Sequence, residues 1–493
     1  MHTAPDREEA LTAEGRLMKP KFGTDLTTGS IPRHIVTFSL PMLIGSLLQT
    51  AYSFINAIWV GQFLGTGALA TVTVSFPVVF TLFGIGMGMT LATNILVSQS
   101  YGAKRFDELR RVVDSSTVLI LGLGILLTLL GEFFTPHILR AMDTPEDIFQ
   151  PSVDYLRIFL LSMPTSFAMF ALRSMLQGMG DSKTPLYFQL ISVVLTTVLD
   201  PLLIFGHLGL PRLGLNGTAW ATIVSQVLVL TVLVVWLHRQ KSPVAPGWPR
   251  LSHLGPATWQ TFRIGVPASI QQSLVSLGMV MVTGIVNGFG EISTAAFGAA
   301  SRIDQIAFMP AINFGMAIST LAGQNLGAGH LPRVRQIFAW GCAFSGAITL
   351  VISAMAVLFP EALLKVFIRD PVVVELGTSY LHIVGACYVL FGLTFVSNGI
   401  INGAGSTMIT TLISLLSLWV VRVPLAYTLS RQMHDVKGIW YAIAISFFVS
   451  LGCSMAYYFS GRWKKAVAHH KPTVLEQAKP DPAEVFANEA GEA

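Results

Sequence analysis

The chain has 493 residues, 52% of them hydrophobic and only 12% charged, with a formal net charge of +5. Soluble domains carry about 25% charged residues, so this composition excludes an ordinary water-soluble domain, and a mean hydropathy of +0.63 makes lipid the expected solvent. The basic residues are scattered among loops and form no stripe, which argues against a nucleic-acid partner and leaves the charge to report on topology.

In chain order, residues 1–30 are polar, with Asp6, Glu8 and Glu9 near the start, and lack the basic-then-apolar layout of a signal peptide. They are expected to form a disordered cytoplasmic tail. Apolar runs follow at 35–61, 69–97, 116–138, 153–177, 185–206, 216–237, 258–288, 295–322, 337–359, 379–402, 408–430 and 438–461. A helix of roughly 20 residues crosses the roughly 30 Å hydrocarbon core. Lipid offers backbone polar groups no partner, and the alternation of a barrel strand is absent, so the runs are expected to be helices. Between the halves, 239–256 holds Arg239, Lys241, Pro243, Pro246, Pro249 and Arg250, a polar Pro-rich linker. The last segment, 463–493, is rich in Ala, Glu and Pro and reads as a second disordered tail.

The halves are copies. Gln99-Ser100-Tyr101-Gly102-Ala103 returns as Gln324-Asn325-Leu326-Gly327-Ala328, 225 residues on, and Arg110, Gly178 and Gly180 meet Arg335, Gly403 and Gly405 at the same offset. Pro41 meets Pro267 with a one-residue slip. The fold class is therefore an all-α integral membrane protein of twelve transmembrane helices in two pseudo-symmetric six-helix lobes, 31–238 and 257–462. Lys19, Lys21, Arg33, Lys104, Arg105, Arg110, Arg111, Arg239, Lys241, Arg250, Arg462, Lys464 and Lys465 lie on the side of the termini, which is expected to be cytoplasmic.

Ionised groups inside the bilayer cost at least a few kcal/mol unless paired or hydrated. Asp200 lies within the fifth span beside Pro201, whose ring frees a carbonyl in the preceding turn. A carboxylate there can hold a proton or small cation, or can simply pair or cap a neighbouring helix. Thr196, Thr197 and Thr222 could add neutral oxygens, although membrane threonines commonly bond their own backbone. In the second lobe the matching region is Arg422-Val423-Pro424, which keeps a proline without an acid. Arg302 and Asp304 are two residues apart, about 200° around a helix, and cannot readily pair with each other. Asp304 is open between a structural ion pair with Arg422 and a substrate or second proton site. Gln49, Asn94, Gln271 and Gln272 are candidate cavity liners or helix-to-helix bonding groups. Arg173, near the end of its span, is expected to snorkel to the interface.

The three cysteines, Cys342, Cys387 and Cys453, have neither disulfide nor metal spacing. No phosphate-binding loop of the Gly-x-x-x-x-Gly-Lys-Ser/Thr type, no His-Glu-x-x-His and no Gly-x-Ser-x-Gly is present. A secondary active transporter without cofactors is expected, not an ATP-driven pump or an enzyme.

Together, Ser39-Leu40-Pro41, Ala57-Ile58-Trp59-Val60-Gly61, Leu176-Gln177-Gly178-Met179-Gly180-Asp181, Leu199-Asp200-Pro201 and Ala322-Gly323-Gln324-Asn325-Leu326-Gly327-Ala328-Gly329 resemble the multidrug and toxic compound extrusion family. Arg302-Ile303-Asp304 with Met309-Pro310 looks more like the bacterial branch named for a DNA-damage-inducible member than like the branch with a glutamate in span seven. The resemblance implies a bacterial inner-membrane antiporter, here expected to be monomeric, exporting small amphipathic and often cationic compounds against protons or sodium by alternating access. It assigns cation binding to Asp200. Many family members carry an aspartate in the first span where this chain has Asn56, which cannot titrate, so single-proton exchange at Asp200 is favoured over sodium. A flippase for a lipid-linked saccharide is the alternative.

Overall fold

The computed structural model describes residues 23–209, 211–247 and 255–464, which form helices, turns and loops with no strand among them. The expected segments 1–22, 248–254 and 465–493 lie outside the described residues.

Span one is Ile31–Trp59, continued by the wider-wound turn Val60–Leu64, and span two is Gly65–Gly102. Span three is Phe106–Ala141; span four is Glu146–Leu160 plus Met163–Gly178, bent by 41°; spans five and six are Lys183–Phe205 and Leu215–Arg239. The second lobe repeats the order with Pro256–Asn287, Glu291–Gly327 and Leu331–Leu358, then Pro371–Ile383 plus Tyr388–Gly403 as span ten. Span eleven runs from Thr407 through a wide-wound Leu415–Arg422 to Met433, and span twelve is Lys437–Ser460. Several helices extend past the apolar runs because a helix continues through the interface, where charged residues are cheap. Span three therefore begins at Phe106, ten residues before its apolar run.

Ten helices are long and apolar enough to cross a bilayer, eleven with the bent span four. One of the ten is Ile31–Gly102, whose 72 residues would stretch about 108 Å if straight. It doubles back instead. Leu26, just before its start, donates to Gln324 Oε1, and a Cβ on Gly102, its last residue, would lie 2.0 Å from the Gln324 carbonyl oxygen. The reversal is at Gly65 (φ 86°, ψ −179°), and Gly290, 225 residues on, makes the same turn between spans seven and eight (φ 93°, ψ 179°). An L side chain rarely adopts that backbone. Counted as two crossings, this helix brings the total to the expected twelve.

Each lobe has its own apolar core, one around Ile95, Leu156 and Phe167, the other around Tyr380, Tyr388 and Trp440. A third core, with Ile35, Phe38, Ile318 and Leu321, crosses the seam near the termini. There the repeat becomes a reciprocal clasp. Gln99 Nε2 donates to the Gly403 carbonyl (2.8 Å), and Gln324 Nε2 to the Gly178 carbonyl (2.9 Å), so each lobe's glutamine bonds the other lobe's glycine. Thr320 donates to Asn94 Oδ1 (3.0 Å), Ser269 to the Ile85 carbonyl (2.7 Å) and Asn313 Nδ2 to Ser46 Oγ (3.1 Å). All these ties lie toward the terminus end, on the nearer parts of spans one, two, seven and eight and the last residues of spans four and ten. Among the described residues no hydrogen bond joins the lobes in the opposite halves, so the seam is sealed at the terminus end and unsealed at the other.

Two expected boundaries move. Residues 24–29 are not a free tail: Leu26 is buried, Thr24 N donates to the Met179 carbonyl, and Asn325 and Arg333 donate to the Leu26 and Gly29 carbonyls. The described part of the linker is likewise fixed, since Val244 is fully buried and Arg110 Nη1 donates to the Ala245 carbonyl at 2.6 Å.

Candidate functional site

In the first lobe the repeat breaks down at Asp200, which has no exposed surface although both of its carboxylate oxygens lack a hydrogen-bond partner. Asn56 and Tyr52, one turn apart on span one, are the donors that act on the carboxylate, at the edge of hydrogen-bonding range. Behind Tyr52 stand Thr222 on span six and Tyr155 in the first half of span four. The Thr222 hydroxyl also bonds the Thr218 carbonyl of its own helix at 3.0 Å. Spans one, four and six thus bring an amide, a hydroxyl and two phenols to the carboxylate that span five carries. A buried polar atom without a partner costs about 1–3 kcal/mol and more when charged, so its retention here calls for a functional explanation.

Thr196 does not join this group. Its hydroxyl donates to the Ser192 carbonyl (2.7 Å) and contacts Ser225 Oγ (2.8 Å), tying span five to span six one turn below Asp200. Tyr52 and Tyr155 were not singled out from sequence. Tyr52 had one available signal, its four-residue spacing from Asn56.

The second lobe holds its acid on a different helix. Asp304, on span eight, accepts hydrogen bonds from Tyr380 and from Tyr388 (2.5 Å), one phenol from each half of the broken span ten. Arg422 acts on Asp304 through its charge while its Nε donates to Ser446 Oγ at 2.7 Å and its guanidinium lies 5.0 Å over the Phe447 ring. Tyr380 is the repeat partner of Tyr155, so a tyrosine at the same place in each lobe approaches a carboxylate that comes from span five in one and span eight in the other. This second acid is satisfied, and its phenols join the two halves of span ten. Replacing Asp304 by Asn is expected to lower stability by about 3 kcal/mol, because it strands Arg422 and one phenol, while proton-dependent transport persists. Thermal unfolding in detergent and transport in vesicles would check this; intact stability with lost proton dependence would reverse the assignment.

The remaining candidates are placed apart from both acids. Arg302 is exposed, its guanidinium 5.8 Å over Phe367. Gln271 Nε2 donates to Ser414 Oγ at 2.8 Å, linking spans seven and eleven. Gln272 packs across the seam against Gly84, Asn94 bonds across it to Thr320, and Gln49 Oε1 accepts from Gln189 Nε2 at 3.3 Å. Arg173 does not snorkel: Nη1 donates to Gln189 Oε1 at 3.3 Å, inside the lobe. Helix periodicity fixed the angle at which each residue leaves its helix, but not which neighbour it meets.

Comparison with known proteins decides the family. The model described as MatE matches this chain twice, over 41–202 and 267–428, once per lobe. The chain belongs to the MatE family. MatE proteins are transporters, not enzymes, and this one is a multi-pass membrane protein. It is 34% identical to the "Probable multidrug resistance protein YoeA" of Bacillus subtilis over 88% of this chain and 95% of that protein. It is 33% identical to the "Probable multidrug resistance protein YpnP" of the same organism, over 89% and 97%. The fold matches a solved outward-facing conformation of a multidrug resistance MATE family transporter with a TM-score of 0.82 at 23% identity, covering 92% of this chain and all of the other. The two MatE matches begin at the slipped pair, Pro41 and Pro267.

Proposed function

We propose that this MatE protein is a multidrug efflux antiporter of the bacterial cytoplasmic membrane, with both termini inside, that works as a monomer and exports small amphipathic, often cationic compounds in exchange for protons at Asp200. The observation that carries the reading is the Asp200 carboxylate, fully buried and with neither oxygen bonded. The relatives' names support the substrate class. The seam, sealed at the terminus end, supports an outward-open state when that end is cytoplasmic.

In that state a proton entering from outside neutralises Asp200, and the protonated acid can then donate to the Asn56 amide oxygen or the Tyr52 phenol oxygen. A cationic substrate loses its counter-charge and leaves. Rocking the lobes unlocks the clasp at Gln99 and Gln324 and opens the other side, where loss of the proton restores the charge that draws the next cation. The two ligands are coupled because they favour opposite charge states of one group. Sodium fits less well: Asn56 contributes no charge, and among the described residues no second acid acts on Asp200.

Expression in a pump-deficient host is expected to lower ethidium accumulation. A proton uncoupler should abolish the effect, whereas replacing sodium by potassium should leave it in place. Efflux that survives the uncoupler and disappears without sodium would reject proton exchange.

A further inference from the structure

The residues just before span one form a strap that touches both lobes. Asp25 accepts from the backbone N–H of Thr27 (2.8 Å) and from its hydroxyl, and the Thr28 carbonyl bonds the His34 ring at 2.7 Å, so the strap is folded against the start of span one. On the second lobe, Leu26 N–H donates to Gln324 Oε1 (3.0 Å), while Asn325 Nδ2 and Arg333 Nη2 donate to the Leu26 and Gly29 carbonyls (3.1 and 3.2 Å). The Leu26 side chain is buried in the core that also holds Leu326 and Val334 of that lobe. The helix that follows continues there, since Ile31, Ile35 and Phe38 share the same core.

On the first lobe the strap meets the end of span four. Thr24 N–H donates to the Met179 carbonyl at 3.0 Å, and the Thr24 carbonyl lies 2.4 Å from where a Cβ on Gly180 would be. The repeat partner of Gly180 is Gly405, with almost the same left-handed backbone (φ 82° and 84°), yet a Cβ on Gly405 would meet nothing nearer than 3.7 Å. The two glycines make the same turn, and among the described residues the strap crosses only the first. The two attachments also differ in kind. Buried leucine and side-chain donors hold the strap to the second lobe, whereas an exposed backbone bond at Thr24 holds it to the first. When the lobes part at the terminus end, the contact at Met179 and Gly180 is the one that gives way.

We propose that residues 24–29 are a latch: anchored to the second lobe, they clip onto the end of span four while the terminus end is sealed and let go of it when that end opens. The latch rests on the rocking of the lobes in the export reading, but not on which compound is exported or which ion drives it. Gln324 makes it part of the clasp, because one amide bonds the first lobe through Nε2 and the strap through Oε1. Opening therefore breaks both contacts to the end of span four together, and weakening the strap alone shifts the balance between the two open states.

The test measures spin-label distances in the full-length chain in nanodiscs, without substrate or gradient and with the three native cysteines replaced. Thr28→Cys is paired with Asp107→Cys on the first lobe or Gln336→Cys on the second, all three being exposed positions. A third pair, Thr66→Cys and Glu291→Cys, reports the opposite end. Gly180→Ala pushes the strap away, and Thr24→Pro, which lies outside the helices, removes the N–H that bonds Met179. Each is expected to raise the long-distance fraction of the Thr28–Asp107 pair by about two- to tenfold, the worth of one hydrogen bond. The Thr66–Glu291 pair should gain a shorter component in parallel, while the Thr28–Gln336 pair stays as in wild type. Gly405→Ala carries the same backbone strain and should leave all three pairs unchanged. The latch is overturned if Thr28–Asp107 does not lengthen in either variant, if it lengthens without a change at Thr66–Glu291, if Thr28–Gln336 lengthens as well, or if Gly405→Ala acts like Gly180→Ala. A failure of proton exchange would appear in the gradient-driven assays alone, so the two readings fail separately.

Discussion

Replacing Asp200 by Asn is expected to abolish gradient-driven ethidium efflux from proteoliposomes while the protein remains folded and monodisperse. Asn is close in size to Asp and resembles its neutral form, so the variant sits permanently in the proton-loaded state. Coupling free energies of about 1–3 kcal/mol, or about 5- to 150-fold in affinity, are typical, and here the whole term is assigned to one ionisation. Neither oxygen of Asp200 completes a hydrogen bond, and Asn keeps a carbonyl oxygen for the Asn56 and Tyr52 donors beside it, so the change should cost little stability. Asp304→Asn is the internal contrast, because that acid holds two phenols in place. Efflux by Asp200→Asn that still responds to a pH gradient would remove Asp200 from the mechanism.

How far this arrangement was legible in the sequence varies with the kind of residue. The offset of 225 exposes the two lobes, and the spans follow from run length, because lipid permits few alternatives to a helix. Asp200 stands out since a carboxylate is rare in an apolar run. Tyr52 and Tyr155 do not, because tyrosine is ordinary in membrane helices and only folding brings them to the acid. Arg173 and Arg302 show the complementary limit. Sequence gives the depth of each along its span, but packing decides that Arg173 points inward to Gln189 and Arg302 outward over Phe367. The repeated glutamines, which mark the two copies in the sequence, acquire a partner that no single half could reveal: each bonds a glycine of the other lobe.

That reciprocity makes a second large effect predictable. A Cβ on Gly102 would lie 2.0 Å from the Gln324 carbonyl oxygen, and one on Gly327 would lie 2.0 Å from the Gln99 carbonyl oxygen. Both obstacles are backbone atoms, so no side chain can rotate away, and the lobes must separate at the terminus end. Gly102→Val and Gly327→Val should each penalise the sealed state by about 1–3 kcal/mol or more, moving the population toward the form open at that end. Spin labels at Thr66→Cys and Glu291→Cys, on the opposite ends of spans two and eight, in a background without the three native cysteines, report the change. Their separation should shorten in both variants by a similar amount, because the two contacts are related by the repeat. Gly122→Val is the control: a Cβ there meets nothing within 4 Å, so it adds the same bulk to span three without touching the seam. A distance distribution unchanged in both seam variants, or altered equally by the control, would mean that the close approach of Gly102 and Gly327 does not set the balance between the two open states.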